Sequence, residues 1–503
     1  MIQGVINAQS GALTLLGKSS ATNGLSLWDG GGQLPKVLAT NGASITMNGE
    51  STKAGAFGVI LAVANQAVVS SDTGAISITG TSSGSTGFYT QNNTSISSSS
   101  GGSITLTGNA TGSGGGVGLN LTNGSVTTTG QVQLNGTAVT NIGVINNAAV
   151  TGGSVSITGT VSGNAGGVSN SGAVTATAGN VNITGSSGGT TSGGGVYSSA
   201  AITSNTGDVN VTGTALVGGG ITLQGTVTAQ NNVNINGTSS DAASTAQGVV
   251  IQNAVKANTG DITVTGNTNS NVQRAVAVTV NGANSGSLQT VASGRNININ
   301  ADTLLINTGS TVDSGSAGTV TIKTTTNGGA VGLGSVDTVS STASSRVLGL
   351  EQAEFDRITA GKLLIGDTTT GGNITIGAAV TTLDATGDVS LLSHANISVN
   401  GAFKAGTTGT KKLTLNAAGA SSTVTQTASI TAAGLELLGN TASYTLTNTG
   451  NTVQTLAANT ASLNYVNATA LSIDTVNTTT GITLALVFFY PPIALWLPKA
   501  IGW

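Results

Sequence analysis

Residues 179–213 read GNVNITGSSGGTTSGGGVYSSAAITSNTGDVNVTG, a stretch that opens and closes on nearly the same seven residues. In the closing copy, Val209 and Val211 alternate with an Asn and a Thr, which is the period of a β-strand with one apolar face. Two further strand-like pieces, residues 194–199 and 201–206, lie between the copies. One repeat is therefore predicted to be three short strands joined by three turns. Gly at both ends of the seven-residue unit is expected to supply the backbone angles of tight corners.

The seven-residue unit recurs along most of the chain, at spacings from 23 to 34 residues. Its clearest copies begin at Gly74, Gly102, Gly130, Gly153, Gly179, Gly207, Asn231, Gly260 and Gly294. A repeat of this length suits one coil of a parallel β-helix, in which equivalent positions stack about 4.8 Å apart and bury a continuous apolar column. The sequence thus predicts an all-β, right-handed parallel β-helix (a β-solenoid) of roughly 18–20 coils, with three short strands per coil.

The composition excludes several classes of protein. Glycine accounts for 77 of the 503 residues, and only 6% of the residues are charged. A hydrophobic fraction of 38% and a net charge of −3 argue against a disordered chain, which combines low hydrophobicity with high net charge. The 14 Lys and Arg residues are scattered, so no nucleic-acid partner is predicted. Because the chain has no Cys, disulfides and thiolate metal sites are excluded.

Two stretches depart from the repeat and suggest a domain organisation. Residues 346–358, RVLGLEQAEFDRI, are the only densely charged, helix-capable segment, and we expect a short helical insertion near 350–358. The β-helix is expected to occupy residues 1–345 before this segment and 359–484 after it. Residues 485–503, ALVFFYPPIALWLPKAIGW, form an atypical apolar tail. Three interpretations of the tail stay open: a shifted reading frame, a hydrophobic cap or peripheral anchor, and a membrane span interrupted by prolines.

The region after residue 349 resembles a known family. Residues 350–380, LEQAEFDRITAGKLLIGDTTTGGNITIGAAV, resemble a segment common in filamentous-haemagglutinin-like adhesins. The sequence from there to residue 484 is similar in residue pattern to the repeats of that family. The resemblance implies a β-helical shaft, exported by two-partner secretion, that attaches a bacterial surface to a host or bacterial cell, a glycan or a matrix protein. It also implies an outer-membrane transporter as a partner of the full-length protein. Since the first residues lack the features of a signal peptide, we expect the targeting segment to lie outside this sequence and the chain to be a fragment.

The rival interpretation is a carbohydrate-active parallel β-helix enzyme, a polysaccharide lyase or hydrolase, which needs carboxylates that converge on one face. Asp208, Asp261 and Asp388 all occupy the Gly-Asp corner of the repeat, where Asp is a common turn residue. Asp208 and Asp261 are expected two coils apart, at about 10 Å, which is too far for a retaining pair and marginal for an inverting one. Glu351 and Glu354 are predicted to share a solvated helix face, with a weak cation site as the alternative.

The remaining chemistry-bearing residues are predicted to be structural. His394 is the only His, and with no Cys in the chain a zinc site is not predicted. The G-x-S-x-G strings around Ser82 and Ser187 are not followed by the helical pattern that a nucleophile elbow requires. Thr-x-Thr runs such as that from Thr319 suggest an ice-binding face, but the irregular repeat spacing argues against a regular Thr ladder. We therefore predict a structural, adhesive protein that is not an enzyme, with no catalytic residue, cofactor or metal site.

Overall fold

The chain forms an all-β, right-handed parallel β-solenoid of about 17 turns, which confirms the predicted fold class. The number of turns falls just below the predicted 18–20. The computed structural model describes residues 1–28, 34–62, 66–242, 246–282 and 284–484. The apolar tail predicted at 485–503 lies outside the described residues.

The chain divides into two compact units, which are described separately. Unit 1 comprises Met1–Thr325, Thr338–Arg346 and Arg357–Ala360. Unit 2 comprises Thr326–Asp337, Val347–Asp356 and Gly361–Trp503.

Each turn of unit 1 except the last contributes a strand to each of three parallel sheets. The first sheet contains Val5–Ala8, Lys36–Ala39, Val68–Ser71, Ser95–Ser98, Ser125–Thr128, Ala149–Gly152, Val174–Ala176, Ile202–Ser204, Val227–Ala229, Ala254–Ala257, Ser287–Thr290 and Thr311–Asp313. The second sheet contains Leu13–Ser19, Ile45–Ser51, Ile76–Ser82, Ile104–Ala110, Gln131–Ala138, Ser154–Val161, Val181–Ser187, Val209–Ala215, Val233–Ser239, Ile262–Thr268, Asn296–Ala301 and Thr319–Lys323. The third sheet contains Leu25–Trp28, Val59–Ala62, Phe88–Thr90, Leu119–Leu121, Val144–Asn146, Gly166–Asn170, Gly194–Ser198, Ile221–Leu223, Val249–Ile251, Val276–Val278 and Leu304–Ile306. A small antiparallel hairpin joins Val280–Asn281 to Asn284–Ser285, and a single 3-10 turn covers Ala343–Ser345.

The core of unit 1 consists of stacked aliphatic side chains. Val181 and Ile183 are fully buried, and they pair with the fully buried Val209 and Val211 of the next turn. Burial of one such side chain stabilises the fold by roughly 1.5–3 kcal/mol, so a single short strand gains little by itself. The stack as a whole offsets the entropy of ordering the chain, because each interior turn is covered on both sides.

The second sheet keeps one register although the repeat length varies. Ile104 pairs with Val132, and Val132 pairs with Val155, although the second step is shorter in sequence. The glycine of each unit is aligned as well, since Gly108 pairs with Gly136 and Gly136 pairs with Gly159. Differences in repeat length are therefore absorbed outside the second sheet.

The glycines that end the seven-residue units do not form corners. Gly185 and Gly213 lie inside second-sheet strands, and their φ angles fall outside the left-handed region, so that part of the prediction is wrong. A Cβ atom on Gly185 would lie 2.0 Å from the carbonyl oxygen of Gly195 in the third sheet. Glycine holds this position in every second-sheet strand from Gly17 to Gly266. Two sheets thus approach each other backbone to backbone, a geometry that only glycine permits. We call this the glycine contact.

Unit 2 contains the two longest strands and the only α-helix among the described residues. Its helix, Gln352–Phe355, lies within the predicted helical segment near 350–358. Its strands are Ala330–Leu333, Val347–Leu350, Ile374–Ile376, Val380–Thr381, Thr386–Ser393, Ile397–Val399, Phe403–Lys404, Lys412–Ala417, Thr423–Gln426, Ile430–Leu446, Thr452–Tyr465, Ser472–Ile473, Thr475–Val476, Thr479–Thr480 and Ile482–Leu484. The strand Ile358–Gly366 has residues in both units.

The strand Ile430–Leu446 merges the separate strands of a turn. It is 17 residues long and pairs with three earlier strands, Phe403–Lys404, Lys412–Ala417 and Thr423–Gln426. The next strand, Thr452–Tyr465, follows it with one irregularity in register. Ladder hydrogen bonding therefore continues here through positions that separate short strands in the preceding turn.

Candidate binding surface

The three aspartates of the Gly-Asp pattern accept hydrogen bonds from the backbone of the following turn, but the predicted corner position is wrong for Asp388, which lies inside the strand Thr386–Ser393. Asp208 Oδ1 accepts from the N–H of Asn232 at 2.9 Å, and Asp261 Oδ1 accepts from the N–H of Asn296 at 2.9 Å. Asp388 makes the same contact in unit 2. The sequence predicted that each carboxylate would stabilise its own turn. The carboxylates instead link successive turns.

Asp72 makes a related set of contacts in a different corner. Its carboxylate accepts the N–H of Gly42 at 3.0 Å, that of Thr73 at 2.6 Å and that of Asn41 at 2.6 Å. Hydrogen bonds to the ionised form hold the pKa of Asp72 below its usual value. Asn41 and Gly42 both have positive φ, at 52° and 78°, so the carboxylate stabilises a left-handed turn.

The helix in unit 2 is closed by its own carboxylates. The side chain of Glu351 accepts from the backbone N–H of Glu354, and the side chain of Glu354 accepts from the backbone N–H of Glu351 at 3.0 Å. This reciprocal arrangement is a capping box. Glu354 is 5% exposed, so the predicted solvated face shared by Glu351 and Glu354 is wrong. The two residues are three apart because a capping box requires that spacing.

The predicted structural residues lie at corners. Ser82 and Ser187 are buried at the ends of second-sheet strands, and Ser82 Oγ donates to the carbonyl of Ala56 at 2.7 Å. His394 is exposed, with Nδ1 2.9 Å from the carbonyl oxygen of Thr368. Neither serine lies near this histidine in sequence or leads into a helix. Within the described ranges, no group of three or more His, Cys, Asp or Glu side chains is placed to hold a metal ion.

Unit 1 contains a buried ion pair that the repeat pattern did not predict. Arg346 Nη1 lies 3.4 Å from Asp302 Oδ2, and both side chains are 6% exposed. Asp302 Oδ1 also accepts from the N–H of Thr325 at 2.9 Å, and Arg346 Nε donates to the carbonyl of Ser340 at 2.7 Å. The pair ties the non-repeating segment around Arg346 to a strand end.

A second buried carboxylate, Glu436, lies in unit 2 and is 3% exposed. Its Oε2 accepts from Thr414 Oγ1 at 2.7 Å and from Asn477 Nδ2 at 2.9 Å, and its Oε1 accepts from Thr479 Oγ1 at 2.8 Å. Asn477 and Thr479 belong to a tight antiparallel hairpin, in which the neighbouring Val476 is fully buried. Glu436 therefore fastens this hairpin to the solenoid.

The clefts of the described surface are shallow and do not gather carboxylates. One of about 470 Å³ is lined by the exposed ion pair of Lys18 and Glu50, 2.9 Å apart, beside Leu16. Another, of about 300 Å³, lies on the third sheet of unit 1 beside Tyr197. A third, of about 410 Å³, includes His394. None of these three clefts contains two acidic residues.

The most regular surface is the outer face of the second sheet. It consists of the outward-pointing residues of eight consecutive strands, from Ile76–Ser82 to Ile262–Thr268, and we call it the outer array. Its members are Ser77, Thr79, Thr81, Thr105, Thr107, Asn109, Gln133, Asn135, Thr137, Ser156, Thr158, Thr160, Asn182, Thr184, Ser186, Asn210, Thr212, Thr214, Asn234, Asn236, Thr238, Thr263, Thr265 and Asn267. All are half-buried or exposed, and none is charged. The columns are not regular Thr ladders, as expected, because Asn, Ser or Gln interrupts each of them. Irregular repeat spacing is not the cause, since the register of this sheet does not depend on repeat length.

Amides of the outer array hydrogen-bond along the stack. Asn210 Nδ2 donates to Asn182 Oδ1 at 2.8 Å, and Asn234 Nδ2 donates to Asn210 Oδ1 at 2.9 Å. In the third column of the array, Thr137 Oγ1 donates to Asn109 Oδ1 at 2.8 Å. The array is thus a surface of short side chains whose polar groups partly satisfy each other.

No family model, no curated protein and no solved structure matches this chain. In the part of the chain that the structure describes, no helix has the length and apolar character needed to cross a membrane.

Proposed function

We propose that this chain is part of the adhesive shaft of a secreted bacterial surface protein. The observation that carries the proposal is the outer array, which presents hydroxyl and amide side chains in one register over eight consecutive strands. A long polar surface suits attachment through many weak contacts, whose combined strength exceeds that of any single contact. Its partners are a glycan or a matrix protein on a host or bacterial cell surface.

The resemblance of residues 350–380 to filamentous-haemagglutinin-like adhesins supports the same proposal. Under this proposal the shaft is exported to the cell surface by two-partner secretion. The full-length protein then engages an outer-membrane transporter during export.

The carboxylate contacts favour the shaft over a polysaccharide lyase or hydrolase. Such an enzyme would use carboxylates that face the substrate as acid, base or nucleophile. Asp208 and Asp261 instead accept backbone N–H groups of the next turn. Asn232 occupies the same position in the turn between them, and its Oδ1 accepts the N–H of Asp261 in the same way. Repetition of this contact from turn to turn indicates a structural role.

Adhesion is tested with the full chain coupled to beads, which are offered to epithelial cells, bacteria, collagen, fibronectin and mucin. We expect saturable retention on at least one of these surfaces, and loss of retention when the chain is unfolded by heat before coupling. Beads that carry no protein are the background control.

The enzyme alternative is tested in parallel with the same preparation and uronate polymers. We expect no release of reducing or unsaturated sugars. Retention on none of the surfaces, together with sugar release that D208N/D261N abolishes, would replace the adhesive shaft by an enzyme.

A further inference from the structure

The outer array repeats at the strand spacing of the solenoid. Side chains in one column lie about 4.8 Å apart along the stack, and neighbouring columns on the same face lie about 6.6 Å apart along the strands. A partner that contacts many turns at once must have a matching period. A second copy of this chain has the same strand spacing, whether it lies parallel or antiparallel to the first. Its side chains can therefore fit between those of the first copy along the whole face. We propose that the outer array is a docking face for a second copy of this chain. This inference rests on the proposed function and makes the same shaft on a neighbouring bacterial cell one of the partners of the array, while the bead assay tests attachment to other surfaces separately.

The charge distribution permits such self-association. The outer array has no charged member. Along the stack, the nearest charged residues of this face are Lys18 and Glu50 on one side and Lys323 on the other, and at its edge Asp208 and Asp261 directly precede two of its strands. A two-fold contact places the same patch on both copies, so any charge near its centre would face its own equivalent. An uncharged centre avoids this repulsion.

The hydrogen bonds along the array lower the penalty for removing water from it. Burying a polar group is unfavourable unless it keeps a hydrogen-bond partner. Asn182, Asn210 and Asn234 partly satisfy each other within one copy, through two amide hydrogen bonds of 2.8 Å and 2.9 Å. Ladders of stacked asparagines on small-residue faces are typical of the dry, interdigitated contacts between paired β-sheets.

The area of the array is adequate for a specific dimer. Eight strands and three columns cover roughly 40 Å by 18 Å, or roughly 700 Å² on each copy. Stable specific interfaces bury about 800 Å² per partner. The outer face of the first sheet offers less, because its strands are shorter and its column of Thr127, Thr151, Thr175 and Thr203 leads to Lys256.

The test compares two lysine pairs placed on the same two turns. T158K/T184K puts charge at the centre of the outer array, and T151K/T175K puts the same charge on the first sheet. All four residues are solvent-accessible, and far-UV circular dichroism checks that both variants remain folded. Sedimentation velocity over a concentration series measures self-association of the full chain.

We expect the unsubstituted chain and T151K/T175K to form a dimer with the same dissociation constant. In T158K/T184K that constant should rise by about 100-fold or more, because like charges then face each other. A chain that stays monomeric at its highest soluble concentration overturns the proposal, and so does a dimer that T158K/T184K leaves intact. A monomer that slows ice recrystallisation, and loses that effect in T158K/T184K, would assign the face to an ice lattice instead.

Discussion

Replacing Gly159 by Ala tests the glycine contact at the centre of unit 1. Gly159 lies in the second-sheet strand Ser154–Val161 and faces Gly167 of the third sheet. An added Cβ atom would lie 2.0 Å from the carbonyl oxygen of Gly167 and 2.8 Å from Val168 Cγ2. Ordinary contact begins at 3.4 Å, so the two backbones would have to separate by more than 1 Å. Because the obstacle is main chain, no side-chain rotation relieves the overlap.

The expected loss is large for a single methyl group. Overpacking a well-packed core costs about 1–3 kcal/mol when side chains can shift, and here the sheets themselves must move, so we expect about 3 kcal/mol or more. Each turn contacts only its neighbours in a solenoid, so the damage should be local. We therefore expect the variant to unfold in two separable steps, with the turns near residue 159 opening first.

Urea unfolding followed by far-UV circular dichroism measures this loss, and Gly166 provides the matched control. Gly166 is also a strand glycine, but a Cβ atom there would meet only the carbonyl oxygen of Gly194, at 3.6 Å. G166A should be neutral or slightly stabilising, since Ala restricts the unfolded chain more than Gly does. If G159A loses no more stability than G166A, the backbone-to-backbone contact does not govern the packing of these sheets.

Three further predictions concern single carboxylates. In D72N at pH 7, the N–H groups of Asn41 and Gly42 should exchange with solvent faster than in the unsubstituted chain, as measured by hydrogen-exchange mass spectrometry. Because the native pKa of Asp72 is lowered, its carboxylate stabilises the turn at pH values above the unfolded pKa of about 4. This stabilisation is lost as the pH falls through the native pKa. The difference in exchange rate between D72N and the unsubstituted chain should therefore shrink in acid. E436Q should lower the free energy of unfolding by about 1–2 kcal/mol in urea titrations, because the amide nitrogen that replaces one carboxylate oxygen cannot accept a hydrogen bond; an unchanged midpoint would contradict the role given to Glu436. R346M should lose about 3–5 kcal/mol because it leaves the charge of Asp302 buried, and D302N should restore part of that loss in the double variant; equal midpoints for the single and double variants would argue against the pair.

The fold was predictable because the same strand pattern recurs many times along the chain. The alternation of Val209 and Val211 with polar residues recurs in each copy, and each copy independently specifies a strand with one buried face. The glycines were harder to interpret. Gly213 follows a Thr, as a turn glycine would, but the strand continues past it to Ala215. Only the position of the third sheet reveals why a side chain is excluded there.

Contacts outside the repeat could not be predicted. Arg346 meets Asp302 across 44 residues of sequence, and Glu436 meets Asn477 across 41. Each occurs once, so no second copy signals it. The burial of Glu354 was missed because its spacing from Glu351 suits a solvated helix face as well as a capping box. The division of the chain at 345, 358 and 484 stays a prediction.

The constancy of register in the second sheet means that unit 1 changes length only in whole steps. A strand such as Val181–Ser187 presents nearly the same edge as its neighbours Ser154–Val161 and Val209–Ala215, so loss of one complete turn would bring together edges that already match. Recombination between repeats in the gene could therefore shorten or lengthen this unit by about 4.8 Å at a time without creating a new interface. The number of repeats sets the length of unit 1 along the stack. Residues gained or lost in the corner loops leave that length unchanged.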